Sequence, residues 1–221
     1  MASSQPALAT RFKAPFRLVF RRSADLTAAE VAPAPVAAIR EIEFVGYAED
    51  CTLSGRVALD AERLSDLLNQ HDRFELVDVL VAPLDGGRPY ELREMLVERD
   101  EIMLVHAMGP RGNAGRRQRT RQSPIVVKSG PYEVHGYVHA LPGSDPIASL
   151  RRRRPMIALT EAVIRYSVGR DRLERRVGTV IVNRETTDWI VEGQDEEVPT
   201  LDMPPDTGGP LLKDFTGQLH G

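Results

Sequence analysis

The stretch FELVDVLV, residues 74–81, combines apolar and β-branched residues with a period of two. That period is expected of an antiparallel strand with one buried face. Just before it, RLSDLLN at residues 63–69 places Leu64, Leu67 and Leu68 on one helical face. Asp60 can cap the start of this short helix, and Asn69 can end it in a left-handed conformation. The stretch therefore predicts a strand preceded by a short helix whose role is packing.

A second copy of this pattern follows later in the chain. Four blocks recur in order: LSGRV at 53–57 with VHGYV at 134–138, LSDLL at 64–68 with IASLR at 147–151, FELVDVLV with IALTEAVI at 157–164, and LVERD at 96–100 with IVNRE at 181–185. The offsets are 81, 83, 83 and 85 residues, and the last offset places Leu104 on Trp189. Four ordered blocks with such similar spacing indicate an internal duplication.

Each copy reads as strands around one short helix. Gly55 and Gly136 lie within predicted strands, where a glycine usually permits a bulge or a sharp bend. DGGRP at 85–89 and VGRDR at 168–172 have the Gly and Asp of tight turns between neighbouring strands. We therefore predict a mainly β protein with short helices, built as two tandem small antiparallel β-barrel-like units.

The predicted units occupy residues 39–108 and 125–190. Residues 1–38 and 191–221 are predicted to be a disordered basic leader and a disordered acidic tail, and residues 109–124 a basic linker. No run reaches the roughly 18 apolar residues of a membrane helix, and the N-terminus lacks the apolar region of a secretory signal. A single cysteine, Cys51, excludes an internal disulfide. We expect a cytoplasmic protein.

The net charge of −3 conceals a segregation of charge along the chain. Residues 41–108 contain sixteen acids and six arginines, a balance of −10, whereas residues 109–190 contain seven acids and sixteen bases, a balance of +9. Residues 191–221 contain seven acids and one lysine, a balance of −6. The two predicted units are therefore oppositely charged and suited to electrostatic docking, within a chain or between chains.

The order of a strand glycine, F-x-L-x-D-x-x-V at 74–81 and LVERDEI at 96–102 resembles the Sm-like small-barrel fold. RLSDLLN followed by a hydrophobic strand also resembles an uncharacterised bacterial domain. The Sm-like resemblance implies RNA binding through loop residues that include an Arg-Gly pair. The matching places here read Arg99-Asp100 and Arg184-Glu185, so an acid stands where that family has glycine.

Two arginine clusters are the candidate binding sites. Their members are Arg116, Arg117, Arg119 and Arg121 in the linker and Arg151, Arg152, Arg153 and Arg154 in the second unit. Guanidinium groups at this density neutralise phosphates and release counterions, which is the basis of sequence-independent nucleic-acid binding. No aromatic residues for base stacking are interleaved with them. The other interpretations are docking to an acidic protein surface and a merely solvated basic face.

Other constellations are weaker candidates. His135 and His139 lie on a predicted strand, about 13 Å apart, too far for one metal ion; we expect solvent-facing or cross-strand histidines. Cys51 is predicted to be a structural thiol. Asp78 and Glu161 are equivalent in the repeat and are interpreted either as carboxylates facing each other across a pseudo-twofold interface or as acids that cap barrel loops. The sequence contains no recognised catalytic motif.

Two terminal segments complete the candidates. Residues 11–22, RFKAPFRLVFRR, are interpreted as an unfolded basic arm or as a helix that contacts a membrane surface or a partner. PLLKDFTGQL at 210–219 is an apolar island typical of a docking motif, with Leu211, Leu212 and Phe215 as its anchors. We predict a non-enzymatic protein-interaction or assembly module that binds a protein partner or itself, without cofactor, metal or small-molecule substrate. The alternative is RNA binding through the linker and the second unit.

Overall fold

The computed structural model describes residues 40–110 and 119–194. These residues form ten strands and two short helices. The strands are β1 (Arg40–Ala48), β2 (Cys51–Leu59), β3 (Arg73–Pro83), β4 (Tyr90–Glu98), β5 (Ile102–His106), β6 (Arg121–Ser129), β7 (Tyr132–Ala140), β8 (Met156–Val168), β9 (Asp171–Asn183) and β10 (Trp189–Glu192). The helices are α1 (Leu64–Gln70) and α2 (Pro146–Arg151), and single 3-10 turns lie at Arg99–Glu101 and Arg184–Thr186. The protein is mainly β, as predicted.

All ten strands belong to one sheet with the order β10-β6-β7-β8-β9-β5-β1-β2-β3-β4. Every neighbouring pair is antiparallel. Residues 40–106 supply the five strands at one end of this order and residues 121–192 the five at the other, and β5 meets β9 at the junction. The sheet is open, so the prediction of barrel-like units is corrected: among the described residues the strands continue from one half into the other.

The hydrophobic core of the second half includes two buried residues of the first, Tyr47 and Leu104. Tyr47 on β1 packs edge-on against Tyr132 and Tyr166, with ring centroids 5.4 and 5.9 Å away. The Tyr132 hydroxyl donates a 2.6 Å hydrogen bond to the Ala48 carbonyl oxygen, which is in the first half of the chain. Burial of both groups raises the pKa of Tyr47 and of Tyr132, so both phenols stay neutral. The tyrosine cluster therefore ties the halves together.

Both glycines that were predicted to mark bulges do so. The β2–β3 register shifts around Gly55, and the β7–β8 register shifts around Gly136. Opposite them, Asp78 and Glu161 both have a φ of 51°, in the left-handed region. A Cβ on Gly55 would lie 2.9 Å from the Val77 carbonyl oxygen. Glycine is required there because the bulged strand approaches so closely.

The helix α1 buries Leu64, Leu67 and Leu68, which confirms its packing role. Both end predictions are wrong. Its N-cap is Arg63 without a side-chain cap, and Asp60 instead lies 3.3 Å from the ring of His71. Asn69 lies inside the helix, which continues to Gln70 and ends in extended backbone. The Asn69 side chain contacts the second half instead, as described below.

Candidate interaction surfaces

The two ends of the sheet expose apolar side chains. Among the described residues, β4 pairs only with β3 and β10 pairs only with β6. Tyr90 and Leu96 on β4 are 48% and 47% exposed, and Trp189 and Val191 on β10 are 44% and 46% exposed. Only one other large apolar side chain in the described ranges, Leu141, is similarly exposed. An unpaired strand with apolar side chains is a template for binding another strand.

The β5–β9 junction is an edge-to-edge contact of the same kind, already formed within the chain. Its register places Leu104 opposite Val182, Val105 opposite Ile181 and His106 opposite Val180. Leu104 and Val105 are fully buried, and Ile181 is 1% exposed. Pairing therefore covers both strand edges almost completely.

Side chains reinforce this junction beyond the strand ladder. The buried Asn183 amide donates to the Ile102 carbonyl oxygen over 3.0 Å. Asn69 on α1 accepts from the Met156 backbone N–H over 3.1 Å and donates to the Met156 carbonyl oxygen over 3.0 Å. These bonds satisfy backbone groups at the edge of β8, which would otherwise lack partners where the two halves meet.

The registers of the two halves correspond residue by residue. Gly46 lies opposite Val105 in β1–β5, and Val127 lies opposite Ile190 in β6–β10. The pairs Phe74–Val97 in β3–β4 and Ile157–Val182 in β8–β9 correspond in the same way. The residue numbers differ by the offsets of the sequence blocks. Gly46 and Val127 are 81 residues apart and Phe74 and Ile157 are 83 apart, while both of their partners are displaced by 85 residues. β10 thus occupies the place of β5, and β4 the place of β9.

Described members of both arginine clusters lie near the end of β7, because Arg121 is opposite Ala140 in the β6–β7 ladder and Arg153 contacts His139. Arg119, Arg121, Arg151, Arg152 and Arg154 are exposed. Arg153 is different, because it is half-buried and donates to the His139 carbonyl oxygen, and burial lowers its pKa. Arg153 is therefore a structural residue rather than part of an open basic surface. Arg116 and Arg117 lie outside the described residues.

Arg99 and Asp100, at the position matched to the Sm-like Arg-Gly pair, form an ion-pair group. The Arg99 guanidinium lies 2.9 Å from Asp72, 2.9 Å from Asp100 and 3.7 Å from Glu185 in the second half. Burial acts to lower the pKa of Arg99, but the surrounding carboxylates outweigh it and raise the pKa. A group of acids so placed neutralises the cation that would otherwise contact phosphate.

Next to this group is a shallow depression at the end of the first half. Its lining residues are Gln70, His71, Asp72, Arg73, Glu98, Arg99 and Asp100. Arg73 at the start of β3 and Glu98 at the end of β4 face one another in the ladder and form a 2.9 Å ion pair. Acidic oxygens of Asp72, Glu98 and Asp100 therefore surround the exposed end of the β4 edge.

The strand histidines make cross-strand contacts, as expected. His135 is buried and lies 2.8 Å from Glu133 and 3.1 Å from Arg165 on the neighbouring strand β8. The hydrogen bond from His135 lowers the pKa of Glu133. His139 contacts Thr160 on β8 over 2.9 Å. The described ranges contain no group of three His, Cys, Asp or Glu residues that could hold a metal ion.

Asp78 and Glu161 lie on β3 and β8, which are not neighbours in the sheet order. Asp78 forms an ion pair with Arg56 on the neighbouring strand. The two acids are equivalent in the backbone, because both occupy the bulge opposite a glycine with a φ of 51°.

Cys51 is a buried thiol at the start of β2. Burial, together with the neighbouring Asp50 carboxylate, raises its pKa to about 12. A thiol with so high a pKa is protonated near neutral pH and is a weak nucleophile. Its environment is that of a structural cysteine.

The remaining candidates lie outside the described residues: the basic segment 11–22 and the tail anchors Leu211, Leu212 and Phe215. Within residues 40–110 and 119–194, neither helix is long and apolar enough to span a membrane. Sequence reasoning missed the exposed apolar side chains of β4 and β10, because the sequence does not show which strands are left unpaired. Comparison with family models, curated proteins and solved structures found no match to this chain.

Proposed function

We propose that the protein is a non-enzymatic assembly module that binds protein through the two unpaired edges of its sheet, β4 and β10. The observation that carries the proposal is the concentration of exposed apolar side chains on these two strands, Tyr90, Leu96, Trp189 and Val191. Natural sheets usually protect their edges with charge, proline or a covering segment. An edge that presents Trp and Leu is suited to receive another strand.

Charge supports the same proposal. The half that carries β4 is acidic and the half that carries β10 is basic, with balances of −10 over residues 41–108 and +9 over residues 109–190. Around β4 the acids include Glu91, Glu94 and Glu98, all exposed. Oppositely charged surfaces accelerate encounter and exclude wrong partners more than they add affinity. Apolar edges would supply the affinity, and charge the choice of partner.

We also propose that the halves arose by internal duplication of one five-strand unit. The supporting observations are the same order of elements, the same bulge opposite a glycine and the same strand registers in both halves. A duplicated unit explains why β5 and β9, which pair inside the chain, have equivalents in β10 and β4, which are the two end strands of the sheet.

Light scattering coupled to size-exclusion chromatography tests the function. The wild type should show a mass above that of one chain, which increases with protein concentration. Leu96→Lys should reduce that mass, because a charge on the strand edge must be desolvated on pairing. Leu141→Lys is the matched control, since Leu141 is 55% exposed and lies in the loop after β7 rather than on β4 or β10. If both variants associate as the wild type does, the sheet edges are not the binding surfaces.

RNA binding is the second candidate. It is favoured by the exposed arginines at 119, 121, 151, 152 and 154. Fluorescence anisotropy with short single-stranded RNA and duplex DNA tests it, alongside a variant with the seven candidate arginines other than the structural Arg153 changed to serine. Micromolar binding that the serine variant loses would favour this function over protein assembly.

A further inference from the structure

We propose that the partner is a second copy of this chain, and that β10 of one copy pairs antiparallel with β4 of the next. The register places Trp189 opposite Val97, Ile190 opposite Leu96 and Val191 opposite Met95. This inference rests on the proposed function and names the partner of its two edges. It predicts a contact between unlike edges rather than a symmetric contact between like ones.

The internal junction is the template for this contact. β5 and β10 occupy equivalent places, since each pairs with the first strand of its half in the same register. β9 and β4 are equivalent in the same way. In the β5–β9 pair, Val105 lies opposite Ile181. The residue 85 positions after Val105 is Ile190, and the residue 85 positions before Ile181 is Leu96, so Ile190 and Leu96 form the equivalent pair. The proposed register follows without any adjustable choice.

Burial shows what the free edges lack. Leu104 is 0% exposed in the junction, whereas its equivalent Trp189 is 44% exposed. Ile181 is 1% exposed, whereas its equivalent Leu96 is 47% exposed. Pairing of β10 with β4 would cover both side chains, as the internal pairing covers theirs.

Charges at the two ends are complementary in the same register. Arg99 and Glu185, 3.7 Å apart across the internal junction, have Arg184 and Asp100 as their equivalents at the free ends. An arginine of one copy would therefore meet an aspartate of the next. Like the internal pair, the proposed pair joins an arginine to an acidic residue, so the same kind of electrostatic attraction is available between copies.

Unlike edges leave an open-ended assembly. Two copies joined once still present one free β4 and one free β10, so further copies add until rotation closes a ring, or a filament forms. The assembly therefore does not stop at a singly joined pair.

Disulfide trapping tests the register. Residues directly opposite in an antiparallel pair have Cβ atoms about 4.5–5.5 Å apart, close enough for a disulfide after small adjustments. The double variant Leu96→Cys/Ile190→Cys should form covalent multimers under mild oxidation. Each single variant should form none, and Arg93→Cys/Ile190→Cys should form none because its cysteine is about 10 Å out of register. The native Cys51 is buried and stays out of the reaction.

A charge exchange provides an independent test. Asp100→Arg and Arg184→Asp should each raise the dissociation constant of self-association about fivefold, and the two together should restore it. Disulfide dimers of either single cysteine variant would mean that like edges pair, which overturns this inference and leaves edge binding intact. Association lost in Leu96→Lys but never trapped by the double cysteine variant overturns the register. A wild type that stays monomeric at all concentrations overturns self-assembly.

Discussion

Asn69 should contribute more to stability than any other polar residue of α1, because its side chain joins the halves. In Asn69→Ala, the N–H and carbonyl of Met156 lose their bonds of 3.1 and 3.0 Å, and Met156 is 4% exposed. Each bond is worth about 0.5–1.5 kcal/mol net, so the loss is about 2 kcal/mol. Alanine is the better helix former by about 0.6 kcal/mol. The expected net loss in the free energy of unfolding is about 1.5 kcal/mol.

Urea and thermal unfolding followed by circular dichroism measure this loss. For a chain of this size, about 1.5 kcal/mol corresponds to a fall of about 3–6 °C in Tm. Gln70→Ala is the matched control, because Gln70 is the exposed neighbour on the same helix; it gains less helix propensity than Asn69→Ala, since glutamine is a better helix former than asparagine. If Asn69→Ala is no less stable than Gln70→Ala, the contact between α1 and β8 does not stabilise the fold and the reasoning is refuted.

Three further predictions concern the bulge, the thiol and pH. Glu161→Gly should raise the free energy of unfolding by about 0.5–1 kcal/mol in urea titrations, because its φ of 51° is strained for a side-chain-bearing residue; a loss would contradict the strain. Cys51, with its pKa raised to about 12 by burial, should react with iodoacetamide far more slowly in the folded protein than in urea, and equal rates would refute its burial. Hydrogen bonds from His135 and Arg165 lower the pKa of Glu133 and Glu174 respectively, and burial lowers that of His139. In each case the unfolded chain binds more protons, so Tm should fall with pH, first below the ordinary histidine value of 6.5 and further below the ordinary glutamate value of 4.5. Glu174→Gln should flatten the second fall, and an unchanged profile would contradict the assignment.

Much of the local structure was readable from the sequence. The period of two in FELVDVLV predicted β3, and the spacing of Leu64, Leu67 and Leu68 predicted the buried face of α1. Gly55 and Gly136 predicted bulges, which the shifted registers confirm. These features succeed because they depend on contacts between residues near in sequence, or on a backbone conformation that one residue type favours.

The failures have a common cause. Asn69 was assigned to the helix end from its local preference, yet its amide bonds to Met156, 87 residues away. Two barrel-like units were predicted from the repeat, yet the strands of one half continue into those of the other in one open sheet. The pattern of apolar residues is also the same on β9 and β4, and no local signal distinguishes a paired strand from an edge strand.

The sequence by itself determined the mainly β class, the short helices, the bulges and the repeated pattern of the two halves, because periodicity, glycine placement and turn residues act locally. Only the tertiary structure decided that β5 pairs with β9, that one open sheet runs through both halves, and that β4 and β10 stand unpaired at its ends. Strand pairing between distant segments depends on which edges meet, and the same alternating residues suit either a covered strand or an exposed one.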